Sequence, residues 1–580
     1  MNLSDLIVQY LESFGVEYVF GIPGSPLGPL FDALKRSEKR GGPRLVLTRH
    51  EAGAAFIADG YARESGKLGV CCSTTGPGAT NLITGVASAY AEQVPMLVIT
   101  PQTRLGALGF GCFQDSSRNG IDVVSMFETC TVYNASVTHP DQLEKKLVAA
   151  LTAAFSVPRG PAHLSIPIDV FVAETDAPLQ FPHLHQLLAN RTAPLDTTGL
   201  DQLCEEIFGV MKGGGRLCLL AGHHAIGAGR ELEKFADLTG ASLITTPRGK
   251  AAIDPHHALA RGVFGMAGHR SARAALADEQ VELILAAGTN LGEWSTGKWD
   301  PVLMNHKLVH IHNDRRWFGR SPMARLQVEG DMATLFRQLN ARLETEQREG
   351  RLSTPATAAQ TAAQTAAQTA AAPSGYIPAG ISVIKPACCD TTRSDAPIKA
   401  PQVYAELVQR LPLETRYFID NSNSVPWSIH YLFHPRPENY HLSIEFATMA
   451  WAVGAAVGAA FGNPQAPSVC LAGDGCYLMS GQEITVAVER QLPVIFVVLN
   501  DRGYGLIKHG HRIGGKEDVD YSIPSVDFAM MGRAAGAEAQ TIRSMRDFDH
   551  LDWQALATRQ GPTLLEVIID PEEQPPIAMA

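Results

Sequence analysis

Ser468-Val-Cys-Leu-Ala472 leads into Gly473-Asp474-Gly475, and a second apolar run, Leu492 to Leu499, ends in Asn500 with 24 residues between the two motifs. Between them, Leu478 to Arg490 has the pattern of a helix. A strand–loop–helix–strand unit of this kind builds parallel sheets and places ligands at the carboxyl ends of its strands. Asp474 and Asn500 are therefore expected side by side on one sheet edge. A carboxylate, an amide oxygen and nearby carbonyls suit Mg²⁺, a hard cation that keeps few protein ligands and takes the rest from phosphates. The glycines let the backbone approach a diphosphate, and a helix N-terminus can face it. Gly-Asp-Gly alone is an ordinary turn; the spacing to Asn500, with a strand on each side, gives it meaning.

At 580 residues the chain is too long for one core, and three domains are expected. Lys plus Arg number 48 against 59 Asp plus Glu, a balance that argues against nucleic acid or an anionic membrane as the main partner. No apolar run reaches the roughly 18 residues that span a bilayer. The start, Met-Asn-Leu-Ser-Asp-Leu, lacks the basic region of a signal peptide. The ten cysteines are scattered without a Cys-x-x-Cys, so neither a zinc site nor a disulfide framework is expected, and a reducing cytoplasm fits.

Alternating strand and helix patterns divide the chain into α/β blocks, each a doubly wound, mostly parallel sheet. The first covers 1–185, with strands such as Arg44-Leu-Val-Leu47 and Met96-Leu-Val-Ile-Thr100 and helices such as Glu51 to Glu64. The second covers 190–345 and includes Arg216-Leu-Cys-Leu-Leu220 and Val281-Glu-Leu-Ile-Leu-Ala286. Residues 350–397 read as a low-complexity linker, with Thr-Ala-Ala-Gln in tandem. The third block, 398–575, holds the Gly-Asp-Gly motif.

Four further segments stand out. Glu51 follows Arg49-His50 at a strand–helix junction, where a Glu is either a functional carboxylate or a helix-start residue favoured by the macrodipole. Thr75-Gly76-Pro77-Gly78-Ala79-Thr80-Asn81 is a glycine-rich turn capping a helix. Asn421-Ser422-Asn423 closes the strand Arg416-Tyr-Phe-Ile-Asp420. Phe446-Ala-Thr-Met-Ala-Trp-Ala-Val-Gly-Ala-Ala-Val-Gly-Ala459 is so rich in small residues that a helix there can pack almost backbone to backbone, with Met449 as filler or as something more.

In this order, from about residue 5 to 570, these segments resemble the thiamine diphosphate enzymes. The resemblance implies a pyrimidine-binding domain, a central domain and a diphosphate-binding domain. Asp474, Asn500 and the Arg502 carbonyl would hold Mg²⁺. Glu51 would hydrogen-bond the aminopyrimidine N1′ and favour the imino tautomer that takes the proton from the thiazolium C2. Met449 would wedge under the cofactor and hold its two rings in a V. In the first domain, Gly24, Gly76 and Asn81 would border the cofactor. In the third, Asn421, Ser422, Asn423, Thr448, Gly473, Gly475 and Cys476 would do so. The family closes its pocket between two chains, so a homodimer or homotetramer is implied.

Within the family the chain is similar to the acetolactate synthase and pyruvate oxidase group. Phe113-Gln114 sits where acetolactate synthases carry a Phe-Gln pair facing the active site, and Gln114 can donate to a carboxylate or developing alkoxide. The sequence departs from that group elsewhere. Asp501 replaces a second Asn, Tyr133 replaces a Lys, and Gly510 stands where a Trp shapes the pocket for a second 2-ketoacid. Phe113, Leu506 and His509 are expected on the substrate side; Lys508, His509 and His511 otherwise form a basic surface segment. Some relatives hold FAD in the central domain, and Gly262-Val-Phe-Gly-Met-Ala-Gly268 is similar to part of that site, whereas Gly288-Thr-Asn-Leu-Gly-Glu-Trp294 is not. The resemblance implies a carboligase that decarboxylates a 2-ketoacid, pyruvate first, and joins the two-carbon unit to an aldehyde, ketone or ketoacid. A decarboxylase, a lyase or a C–C bond hydrolase acting on a cyclic diketone is the alternative, and a non-catalytic scaffold is opposed by the intact Glu51 and Gly-Asp-Gly.

Overall fold

The computed structural model describes residues 1–580 apart from 177, 191–194, 354–375, 385–396, 518 and 580. The tandem Thr-Ala-Ala-Gln segment lies outside the described residues. The rest forms three sheets, each of six parallel strands flanked by helices, as the alternating pattern led us to expect.

The first sheet runs, in spatial order, Arg44–Leu47, Tyr18–Gly21, Gly69–Cys72, Met96–Gln102, Pro161–Pro167 and Tyr133–Ser136. The third runs Tyr440–Leu442, Arg416–Ile419, Ser468–Gly473, Val494–Asn500, Thr563–Ile568 and Glu538–Ile542. Both have the same winding, second strand first, then first, third, fourth, sixth and fifth. Each therefore has a topological switch point between its first and third strands, the place where such sheets bind ligands. In the first domain the flanking loops begin at Ile22 and Ser73. In the third they begin at Asp420 and Asp474. The interior strands are buried on both faces, as in the run Val494-Ile-Phe-Val-Val-Leu-Asn500.

The first and third domains pack mainly through a pair of helices, Glu51–Ser65 and Trp451–Gly462. Their small residues make this approach possible. A Cβ on Gly60 would lie 2.0 Å from the Ala455 carbonyl oxygen, and one on Gly458 would lie 1.9 Å from that of Ile57. The central domain joins both. Arg248 pairs with Glu92 of the first domain at 2.6 Å and Glu445 of the third at 2.9 Å. Lys250 is buried and gives its ammonium to the carbonyls of Ser428 and Ile429, both at 2.6 Å.

Two expected helices differ in detail. Leu478 to Arg490 is not continuous: helix covers Asp474–Ser480 and Ile484–Glu489, with a tight turn at Gly481–Glu483. The small-residue helix begins only at Trp451, so Met449 lies in the turn before it. Ala447 and Ala450 there have φ of 57° and 71°, a strained region for residues with a Cβ. The buried Asp420 carboxylate compensates by accepting the N–H groups of Ala450 and Ala452, each at 2.8 Å.

Candidate active site

The switch point of the third sheet opens into a cleft with about 520 Å³ of space, part of it open to solvent. Its walls are Asn421 to Ser424, Met449, Gly473 to Cys476, Leu499, Asp501 and the turn 503–507, with Ile569 behind. The two strand ends that form it touch: a Cβ on Gly473 would lie 3.0 Å from the Ser422 Cβ. Asn421 gives its side-chain amide to the carbonyls of Ser443 (2.8 Å) and Thr448 (2.9 Å), and so holds the turn that carries Met449. Ser422 Oγ accepts the Gly473 N–H at 3.2 Å, and Cys476 Sγ lies 3.4 Å from the Asn421 carbonyl. Asn423 donates to Asp501 at 2.9 Å. The Asn423 Oδ1 and the Thr448 hydroxyl are buried with no protein partner, and groups of this kind need a partner from a ligand or water.

Asp474 and Asn500 end neighbouring strands, in register through Gly473 and Leu499. Asp474 is buried and accepts the N–H groups of Gly475 (2.7 Å) and Gly503 (3.2 Å). Its carboxyl is pushed up to about 7 by burial and by the neighbouring charge of Asp501, itself raised to about 6 by burial. Two crowded carboxyl groups stripped of water are an environment that a divalent cation relieves. Asn500 gives its amide N–H to Glu566 at 2.8 Å, which leaves Oδ1 facing the Arg502 N–H at 3.2 Å. Arg502 has φ 58°, and its carbonyl accepts the Ile523 N–H at 3.0 Å with one lone pair to spare. A carboxylate, an amide oxygen and a carbonyl on one corner form a donor set that fits Mg²⁺.

The switch point of the first sheet gathers the other expected residues. A Cβ on Gly24 would lie 2.3 Å from the Thr74 side chain, which closes this end of the two loops. Glu51 begins its helix and accepts a 3.0 Å hydrogen bond from Asn81. Gly76 has φ 66°, and a Cβ there would be 3.3 Å from that of Gln114. Gln114 also has positive φ, 55°, and its carbonyl accepts from Thr75 at 3.2 Å. Phe113 is 87% exposed and Phe110 86%. Leu506 lines the cleft of the third domain, and His509 does not: it lies buried on the same helix, Gly505–Ile513, its imidazole held below the usual range by burial and by Lys508 and Arg512. Within one chain, none of the residues lining the Asp474 cleft comes from the first domain.

Sequence reasoning missed three buried carboxylates that touch these segments: Asp420, Glu483 and Glu566. Asp420 ends a strand and could have been suspected. Glu483 and Glu566 act on residues far away in sequence and leave no local signal.

The central sheet runs Leu326–Glu329, Leu308–His312, Val281–Ala287, Arg216–Ala221, Ser242–Thr245 and Ala260–Val263. This winding is that of dinucleotide-binding folds, with its switch point after Ala221 and Ala287. Here the two loops meet. A Cβ on Gly222 would lie 2.4 Å from the Gly288 carbonyl oxygen, and the rings of His224 and His312 pack at 4.7 Å. The Gly262–Gly268 segment folds onto Trp294, whose carbonyl accepts the Met266 N–H at 2.9 Å.

Three family descriptions match the chain in order. They are the thiamine pyrophosphate enzyme N-terminal TPP binding domain at residues 1–126, the central domain at 204–339 and the C-terminal TPP binding domain at 420–567. The chain is 28% identical to a probable acetolactate synthase large subunit of Methanocaldococcus jannaschii over 590 aligned residues, covering 100% of this chain and 93% of the relative. It is 31% identical to the acetolactate synthase large subunit of Corynebacterium glutamicum, covering 88% and 76%. It is 30% identical to a probable 2-ketoarginine decarboxylase of Pseudomonas aeruginosa, covering 98% and 94%. With three parallel sheets in the expected order and these matches along its length, the chain belongs to the thiamine pyrophosphate enzyme family, in its acetolactate synthase-like group.

Proposed function

We propose that the protein is a thiamine diphosphate- and Mg²⁺-dependent carboligase that decarboxylates a 2-ketoacid, pyruvate first, and joins the two-carbon unit to an aldehyde, ketone or ketoacid. The observation that carries this reading is the pairing of two switch points of identical winding. The pair Asp474 and Asn500 at one of them suits a metal diphosphate, and Glu51, held by Asn81 beside the other, suits an aminopyrimidine. Bound thiamine diphosphate supplies a nucleophilic thiazolium carbon and an electron sink for the bond broken in the ketoacid.

The chain's own residues do the rest. Asp474, Asn500 and the Arg502 carbonyl would hold the metal, and the start of the Asp474–Ser480 helix would supply backbone N–H groups to its diphosphate. Asn423 Oδ1 and the Thr448 hydroxyl are free to meet the cofactor. Met449, in the turn held by Asp420 and Asn421, would support the cofactor's rings. Glu51, oriented by Asn81, exchanges the proton that activates it. Gln114 faces the incoming carboxylate, and Phe113 and Leu506 border the substrate. Because Glu51 and Asp474 do not share a cleft within one chain, the site forms between two copies, as a homodimer or homotetramer. The exposed Phe110, Phe113, Phe446 and Met479 near the two half-sites suit burial in such an interface. The unpaired cysteines among the described residues fit a reducing cytoplasm.

A second reading is a decarboxylase of a larger 2-ketoacid. It is favoured by the relative named for 2-ketoarginine. The two readings separate on CO₂ release from pyruvate, measured with and without aldehydes and ketones while product mass is recorded. Release that rises with an acceptor, together with a two-carbon adduct, supports the carboligase. No release from pyruvate, with release from a longer ketoacid, supports the decarboxylase.

A further inference from the structure

Glu483 is fully buried, in the tight turn that follows the Asp474–Ser480 helix of the third domain. Its Oε1 accepts the backbone N–H groups of His50 at 2.9 Å and Arg49 at 3.1 Å, and Oε2 also faces the Arg49 N–H at 3.3 Å. These amides belong to the first domain and are the two that precede Glu51. The local cap of that helix, the His50 imidazole, is already used: its Nδ1 accepts the Ala52 N–H at 3.1 Å. Glu483 therefore supplies, from another domain, the acceptor that the turn cannot supply for itself. Its negative charge also lies at the positive end of the helix.

The contact is built for, not incidental. The first turn of the Glu51 helix carries Gly53, and a Cβ there would lie 2.3 Å from Glu483 Oε1. The Arg49 side chain continues the attachment, donating to Thr485 at 2.8 Å and to Glu489 at 2.9 Å. Those two contacts are near the surface and hold little. Glu483 is dry, and a buried carboxylate without partners is costly. Burial pushes its carboxyl up to about 7 although both amides pull the other way.

We infer that Glu483 is a positioning residue for Glu51: it fixes the Arg49–His50 backbone, and through it the direction in which the Glu51 carboxylate leaves its helix. This rests on the reading of Glu51 as the group that activates the cofactor.

The test compares Glu483→Ala, Glu483→Gln, Gly53→Ala and Glu51→Gln in the full-length protein, with two readouts. The first is backbone amide hydrogen exchange at Arg49 and His50 without cofactor. The second is exchange of the thiazolium C2 proton in the thiamine diphosphate–Mg²⁺ form. Glu483→Ala is expected to speed the amide exchange and slow the C2 exchange by about tenfold each, the scale of one lost buried hydrogen bond, while cofactor affinity moves less than about threefold. Glu483→Gln keeps one oxygen able to accept both amides and is expected to restore most of both rates. Gly53→Ala displaces the carboxylate without deleting it and should follow Glu483→Ala, which covers the case in which that variant does not fold. Unchanged amide and C2 exchange in Glu483→Ala or in Gly53→Ala, with Glu51→Gln slowed, overturns the inference. If Glu51→Gln leaves C2 exchange unchanged, the reading of Glu51 itself fails, and the amide arm alone then decides whether Glu483 holds this backbone.

Discussion

The Asn500 side chain gives its amide N–H to Glu566 Oε1 at 2.8 Å, and this bond decides which end of the amide faces the metal corner. Glu566 is buried and also accepts from the Thr541 hydroxyl at 2.9 Å, so it is itself held in place. Partners of this kind outside the ligand set typically govern metal affinity by ten- to a hundredfold. Glu566→Ala is expected to raise the Mg²⁺ concentration for half-maximal activity by about tenfold or more. Titration of activity against Mg²⁺ checks this; an unchanged midpoint would show that Asn500 does not depend on Glu566.

Glu483 also makes a prediction about pH. Its carboxyl is raised by burial from 4.5 to about 7 in the folded protein. The folded state therefore holds the proton more tightly than the unfolded state. The stability this gives is present below about 4.5 and is lost as pH rises through about 7. Glutamine does not titrate, so Glu483→Gln should gain on the wild type by up to about 3 kcal/mol between pH 4.5 and 7. Denaturation midpoints across that range measure it, and a pH-independent difference would contradict it.

The helix pair that joins the first and third domains should tolerate no added atom. A methyl on Gly458 would meet the Ile57 carbonyl oxygen at 1.9 Å. Gly458→Ala should cost about 3 kcal/mol, at the upper end of overpacking changes. Gly209 is also in a helix but has nothing within 4 Å of an added Cβ. Gly209→Ala should raise stability by up to about 1 kcal/mol, the helix-propensity gain alone. Thermal unfolding of both variants separates packing from propensity.

Gly510 tests the breadth of the acceptor side. It is exposed on the Gly505–Ile513 helix, one turn beyond Leu506 of the cleft wall. Gly510→Trp should leave folding and CO₂ release from the donor unchanged within about twofold, and reduce ligation to bulky acceptors by about tenfold, the range of a changed apolar pocket contact. Product yields across acceptors of graded size report the effect. Equal loss for every acceptor would place Gly510 away from acceptor binding.

Much of this architecture is legible in the residues. Long apolar runs such as Val494 to Leu499 announce interior strands, and the spacing from Asp474 to Asn500 announces the corner they build. The edge strands Tyr133–Ser136, Ala260–Val263, Leu326–Glu329 and Glu538–Ile542 are harder to see, because each is short and partly exposed and carries no continuous apolar run. Met449 is visible as a residue but not as a turn, since Asp420, 29 positions earlier, is what stops the helix from starting sooner. Glu483 and Glu566 are invisible for the same reason: each acts on backbone or amide groups that only the folded chain brings near. The central domain shows both cases. Its Gly262–Gly268 segment is similar to part of an FAD site, while the close approach of Gly222 to the Gly288 loop is made by the fold and leaves no pattern in the sequence.

In the proposed function, Glu51 of one copy and Asp474 of another act on a single cofactor. Coexpression of Glu51→Gln with Asp474→Asn tests this directly, with each variant first shown to be inactive alone. If the site forms between two copies, a mixed pair has one site with both defects and one with neither, and random pairing should restore about a quarter of the wild-type activity. If each chain builds its own site, every site carries a defect, and the coexpressed mixture should remain as inactive as either variant.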